Sequence, residues 1–172
     1  TDHGDIASEG AVCLDIPQGW DLKSQPYSFP SHLTIKGPLF NLSALHSQGN
    51  LTWECEASEG FFNNVFPLEA EGILTLKMKR GFVNRSKLWG REGLEVHVPG
   101  FENYGFVFGG RRTVFNCPRG LDNWKTFGIQ GEGEFTLGYF RNHPGAVFQQ
   151  QNIQDSGNHV RFSVEKGVRK CC

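Results

Sequence analysis

Short runs of alternating apolar and polar residues recur along this chain, and they constrain its fold more than any other feature. Leu51, Trp53 and Cys55 alternate with Thr52, Glu54 and Glu56. Leu74, Leu76 and Met78 alternate with Thr75, Lys77 and Lys79. Leu94, Val96 and Val98 stand against Glu95 and His97, and Val160, Phe162 and Val164 against His159, Arg161 and Ser163. Successive side chains of a strand point to opposite faces, so each run reads as a strand with one dry and one wet side. Leu33–Ile35, Tyr104–Phe108, Thr113–Cys117, Thr126–Ile129, Phe135–Phe140 and Ala146–Gln149 read the same way.

Turn residues separate the runs: Gly60, Pro99-Gly100, Gly109-Gly110, Pro118 to Gly120, Gly131 to Gly133 and Pro144-Gly145. With 22 Gly and 8 Pro among 172 residues, and 15 Phe, long helices are disfavoured. Helix is expected at most as a turn or two, at Leu42–His46 and Leu121–Lys125. The fold expected is all-β, an antiparallel β-sandwich of jelly-roll type, with a closed β-barrel as the alternative. Residues 1–31, rich in Pro, Gly, Ser and Asp, read as an irregular lead-in, and residues 32–172 as one sandwich domain. No internal repeat or low-complexity block is expected.

Three Asn-x-Ser/Thr triplets, at Asn41, Asn50 and Asn84, are acceptor patterns for N-glycosylation and point to a secreted, extracellular protein. The chain starts at Thr1 with a polar stretch, so a signal peptide would already have been removed. In an oxidising compartment the five cysteines, Cys13, Cys55, Cys117, Cys171 and Cys172, would form disulfides, and their odd number leaves one thiol over. Adjacent Cys171 and Cys172 make the tail the place for that thiol, and for a disulfide-linked homodimer or heteromer.

The 17 Lys plus Arg nearly balance the 18 Asp plus Glu, so a bulk attraction to nucleic acid or to an anionic membrane is not indicated. No apolar run reaches membrane-spanning length. His3, third from the amino terminus, could close a square plane of four nitrogens around Cu(II) or Ni(II) if Thr1 is the free end. Zinc is disfavoured because no Cys-x-x-Cys pair exists, and no cofactor motif is present. Gly105 to Arg112 lacks the Gly-Lys-Ser/Thr ending of a phosphate loop. Glu95 and His97 share one strand face without a His-Glu-x-x-His cluster. Glu132 and Glu134, two apart, would share one face of a strand, as a pair of glycosidase carboxylates might be held.

Aromatic residues are the better guide to binding, because a flat ring with a polar handle offers contact area to sugars and proteins. Trp89, Tyr104 and Trp124 are the candidate contact residues, with Arg111 and Arg112 at a turn. Since glycans would cover the segments around Asn41, Asn50 and Asn84, the ligand is expected at connections 99–104, 109–112, 118–125 and 141–145. The run Phe127-Gly128-Ile129 through Phe135-Thr136-Leu137-Gly138-Tyr139 resembles stretches of extracellular lectin-like sandwiches, and no functional residue follows from it. The function expected is a secreted, non-catalytic binding module for an extracellular carbohydrate or protein. A glycan hydrolase using loop carboxylates and a disulfide-linked assembly protein are the alternatives.

Overall fold

The computed structural model describes residues 10–23, 25–40, 43–57, 61–150, 160–165 and 168–170. Within them the chain winds into a β-solenoid of about seven turns in which every strand pairing is parallel. This overturns both the antiparallel sandwich and the closed barrel. Alternation specifies a dry and a wet face but not the direction of the neighbouring strand, so the same pattern serves either arrangement.

Each turn from Leu51 to Gln150 contributes one strand to each of three sheets. The first sheet holds Val12–Asp15, Leu33–Lys36, Leu51–Cys55, Ile73–Met78, Gly93–His97, Arg112–Cys117, Glu132–Leu137 and Val160–Val164, in that order. The second holds Phe61–Asn64, Gly81–Asn84, Gly100–Asn103, Gly120–Asn123, Phe140–Asn142 and Val168–Lys170. The third holds Tyr27–Phe29, Leu45–Ser47, Leu68–Ala70, Lys87–Gly90, Phe106–Gly109, Thr126–Ile129 and Val147–Gln150. Trp20–Asp21 and Leu39–Phe40 pair separately. Three strands of the first turn, Val12–Asp15, Trp20–Asp21 and Tyr27–Phe29, occupy the stretch expected to be an irregular lead-in. The helical turns expected at Leu42–His46 and Leu121–Lys125 are replaced by strands Leu45–Ser47 and Gly120–Asn123.

The fold is a repeat, contrary to the expectation of none. Its clearest trace is a column of asparagines, Asn64, Asn84, Asn103, Asn123 and Asn142, each 19 or 20 residues after the last. The first four are buried in the corner after each second-sheet strand. Each side chain from Asn84 to Asn123 donates to the next asparagine's Oδ1 and also to backbone carbonyls. A parallel corner leaves backbone groups that no neighbouring strand satisfies, and an amide supplies both a donor and acceptor for them. Two positions before each asparagine stands an apolar residue, Phe62, Phe82, Phe101, Leu121 or Phe140, directed into the core. The turn expected at Gly109-Gly110 is a solenoid corner, between the third sheet and the first. Successive coils approach so closely there that a Cβ on Gly110 would overlap the Arg91 carbonyl.

The core is a continuous apolar column. Ile35, Trp53, Leu76, Val96, Phe115 and Phe135 come from the first sheet, and Leu45, Leu68, Leu88, Val107 and Phe127 from the third. Among the described cysteines no disulfide forms: Cys13 is an exposed free thiol, and Cys55 and Cys117 are buried ones. Topology explains this. Cys55 and Cys117 lie three strand steps apart in the first sheet, about 14 Å at the usual spacing, whereas a disulfide needs Cα atoms about 4–7 Å apart. Cys171 and Cys172 lie outside the described residues, as do His3 and Asn41. Burial pushes the Cys117 thiol far above the ordinary range for cysteine. Native alkylation followed by mass mapping is therefore expected to modify Cys13 within minutes and leave Cys55 and Cys117 untouched until denaturant is added. Modification of Cys117 in the folded protein would contradict the model.

The expected sequons separate in the same way. Asn84 is fully buried, and its amide nitrogen donates to Ser86 O, Asn103 Oδ1 and Phe106 O. A glycan on that nitrogen and this fold exclude one another. The triplet Asn84-Arg85-Ser86 is a ladder asparagine that happens to precede a serine. Asn50 is exposed, with its Oδ1 accepting from Ile73 N.

Candidate functional site

The most chemically dense surface of the molecule lies on the outer side of the second sheet and along its corner with the third. Side chains that alternate outward from Gly100–Asn103, Gly120–Asn123 and Phe140–Asn142 put Glu102, Asp122 and Arg141 in adjacent register. Parallel pairing sets such neighbours about 4.8 Å apart along the solenoid axis.

Asp122 is the hub. It is 7 % exposed and accepts a hydrogen bond from the Tyr139 hydroxyl at 2.6 Å. His143 Nε2 lies 2.7 Å from its other oxygen, and because a carboxylate only accepts, that ring nitrogen carries the proton. Arg141 stands 3.9 Å away, its guanidinium also 4.5 Å from the Tyr139 ring centre. One coil earlier the Tyr104 hydroxyl donates to Glu102 at 2.9 Å. Burial, and then the bond to Asp122, push the Tyr139 phenol up to about 12. Burial, then the bond to Glu102, raise that of Tyr104. Both phenols therefore remain protonated donors across the physiological range.

A stack of flat groups flanks this cluster at the corner after the ladder asparagines. The Arg85 guanidinium lies 4.7 Å from the Tyr104 ring, Tyr104 stacks on Trp124 at 5.7 Å, and Trp124 stacks on His143 at 3.3 Å. The parallel coils put each ring directly above the next, so the faces of Tyr104 and Trp124 cover one another and their edges point to solvent. Trp124 is still 41 % exposed.

On the other side of Glu102 and Asp122 the sheet surface dips into a groove lined by Gly81, Gly100, Gly120, Glu102, Arg119 and Tyr139. Glycines bare the backbone there. Gly120, at φ +127°, has no alternative: a Cβ would be strained and would overlap the Tyr139 ring that lies across it.

Of the residues the sequence pointed to, the structure brings Tyr104 and Trp124 together in this cluster, and Arg112 together with Glu132 and Glu134 on the first sheet. Connections 99–104, 118–125 and 141–145 stack on successive coils around this cluster, whereas 109–112 lies at the opposite corner, between the third and first sheets. Trp89 stands outward on the third sheet, 6.5 Å from Phe108 and beneath the Lys87 ammonium. Arg111 pairs with Glu92 at 3.0 Å, and Arg112 with Glu134 at 3.8 Å. Glu132 and Glu134 do share an outer face, in a groove with Arg112 and Arg161 on the first sheet. Exposed pairs like these contribute at most about 1 kcal/mol. Glu102, Asp122, Arg141 and His143 lie inside the expected connections without being individual candidates, and Tyr139 lies just before the last of them. Their signal was positional: each lies within four residues of a ladder asparagine.

Among the described residues no group of three or more His, Cys, Asp or Glu side chains is disposed to hold a metal ion, and no helix is long and apolar enough to cross a membrane. Comparison of the chain with family models, with curated proteins and with solved structures finds no significant match. The stretch 127–139 that resembles lectin-like sandwiches forms parts of two parallel sheets here, Thr126–Ile129 in the third and Glu132–Leu137 in the first, so the sandwich likeness is not sustained.

Proposed function

We propose that this chain is a non-catalytic extracellular binding module whose ligand is a carbohydrate polymer laid along the solenoid axis. The observation that carries the reading is the groove on the second sheet. It puts bared backbone, a carboxylate (Glu102), a guanidinium (Arg119) and an aromatic ring (Tyr139) within one small concavity. Sugars present hydroxyls that both donate and accept, together with apolar ring edges, and such a set of groups meets all three. The hydrogen bonds from Tyr104 and Tyr139 fix the carboxylates before any ligand arrives, which lowers the ordering cost of binding. The groove crosses the strands Gly81–Asn84, Gly100–Asn103 and Gly120–Asn123, so a polymer laid along the axis meets more than one coil. The exposed sequon at Asn50 fits an extracellular setting.

The test is binding to a panel of polysaccharides by affinity electrophoresis or calorimetry. A ligand should be found, and Tyr139→Ala should weaken it at least tenfold while Trp89→Ala, on another face, leaves it unchanged. Loss with Trp89→Ala but not with Tyr139→Ala would move the site to the third sheet. No binding to any polysaccharide would end the reading, and turnover abolished by Glu134→Gln would replace it with hydrolysis on the first sheet.

A further inference from the structure

Three cations at the margins of the second sheet have no acidic partner among the described residues. Over much of the surface a basic side chain has an acidic partner: Lys77 with Glu54, Lys87 with Glu69, Arg91 with Glu71, Arg111 with Glu92 and Arg112 with Glu134. Along the margins of the second sheet Lys79 also pairs with Glu56, but three other cations have no such partner. Arg119, at the groove mouth on the side of the first sheet, makes no ion pair among the described residues. On the opposite margin Arg85 is held by the neutral Asn63 amide at 3.0 Å and by the Tyr104 ring, and exposed Lys125 likewise has no carboxylate partner.

The acids between these margins are already engaged. Glu102 accepts from Tyr104, and Asp122 accepts from Tyr139 and faces both His143 and Arg141. Asp122 thus faces its own cationic partners, and Arg119, Arg85 and Lys125 outnumber Glu102, the one carboxylate of this surface without an ion pair among the described residues, although the whole chain carries a net charge of only −1.

We infer that the polymer bound in this groove is an anionic polysaccharide, one whose sugars carry carboxylate or sulfate groups, with Arg119 as the primary anchor. A guanidinium presents a planar fork of N–H donors that matches an oxyanion with two hydrogen bonds, which a hydroxyl cannot reciprocate. Lys125, at the far end of the same strand, and Arg85, two coils earlier, would meet further charged groups where the polymer crosses the sheet. The inference rests on the carbohydrate reading above and narrows its ligand class.

The experiment compares polygalacturonate, chondroitin sulfate and neutral dextran as ligands, by calorimetry over a series of salt concentrations. Variants are Arg119→Gln, the double variant Arg85→Gln/Lys125→Gln, and Arg111→Gln as a paired-cation control on another corner. At least one of the two anionic polymers should bind more tightly than dextran, with affinity falling as salt rises because exposed charges are screened. Preference for polygalacturonate assigns the charge to carboxylate, and preference for chondroitin sulfate to sulfate. Arg119→Gln should lower the affinity at least tenfold, the double variant about as much, and Arg111→Gln less than twofold. Dextran bound as tightly as the anionic polymers, or Arg119→Gln without effect, would overturn the inference and leave the carbohydrate reading standing. No polysaccharide bound at all would overturn both. Tighter capture of single-stranded DNA than of either anionic polysaccharide would also overturn it, since these cations would then serve nucleic acid.

Discussion

Asn103→Leu is expected to lower the thermal unfolding midpoint by roughly 6–12 °C, at a cost of about 3 kcal/mol. Asn103 is fully buried at the middle of the asparagine column. Its Nδ2 donates to Asn123 Oδ1 at 2.9 Å and Thr126 O at 3.0 Å. Its Oδ1 accepts from Asn84 Nδ2 at 3.0 Å and from Gly105 N at 3.1 Å. Leucine keeps the branching and the number of side-chain heavy atoms, so most of the loss comes from polar groups left unpaired in a dry corner. Asn64→Leu provides the contrast. Asn64 begins the column, donates only to Asn84 Oδ1 at 3.1 Å, and has an Oδ1 without a hydrogen-bond partner. That variant should cost about 1 kcal/mol. Equal effects at the two ends of the comparison, read by calorimetry, would mean that the column is not a cooperative network.

The column also shows why the strands were legible in the sequence when their arrangement was not. Period-two runs such as Leu74–Met78 identify a strand through the burial of every second side chain, and that requirement is local. Whether the next strand runs parallel or antiparallel depends on the connection. Here the connection is a corner of a few residues leading into a different sheet, and a pair such as Gly109-Gly110 suits such a corner as readily as a hairpin. The repeat itself was written in the sequence as an apolar residue two before an asparagine, in Phe82-Val83-Asn84, Phe101-Glu102-Asn103, Leu121-Asp122-Asn123 and Phe140-Arg141-Asn142. It covers few positions of each coil, because only the corner amide and its apolar neighbour have specific duties. The remaining inward positions need only be apolar and fill the local volume, so Trp53, Leu76, Val96 and Phe115 succeed one another in a single column.

The same blindness to context explains the sequons, the cysteines and the site. Asn84-Arg85-Ser86 satisfies a glycosylation pattern by sequence, yet its asparagine is spent on the fold. Cys55 and Cys117 count as bridging candidates only until the topology sets two strands between theirs. Glu102, Asp122 and Arg141 sit roughly 20 residues apart in sequence and become neighbours through parallel register. Tyr104 and Trp124 were visible as aromatic residues in polar connections, but not as one stack.

Phe115→Ala should have the largest effect of the substitutions considered, about 3–5 kcal/mol. Phe115 is fully buried where the three sheets converge. Its ring lies 5.1 Å from Phe101 of the second sheet, 5.0 Å from Phe127 of the third and 5.5 Å from Phe135 of the next coil in the first. Truncation removes the shared partner of all three and leaves a cavity that a rigid stack of paired strands cannot collapse into. In a solenoid each coil is stabilised mainly by its two neighbours, so weakening one central coil also uncouples the coils on either side. Two consequences follow. The melting temperature should fall by roughly 6–20 °C, and hydrogen exchange should accelerate first in Gly93–His97, Arg112–Cys117 and Glu132–Leu137 rather than uniformly. Phe162→Ala is the matched control, because the same ring stacks on Phe135 at 4.8 Å but lies in the last described strand of the first sheet and is 39 % exposed. It should cost well under half as much, since less area is lost from a ring that is already partly exposed. If both variants unfolded at the same temperature, or if exchange in the Phe115 variant rose evenly through the chain, the coils would not be stabilised through their neighbours, and the solenoid would have to melt as one undivided unit.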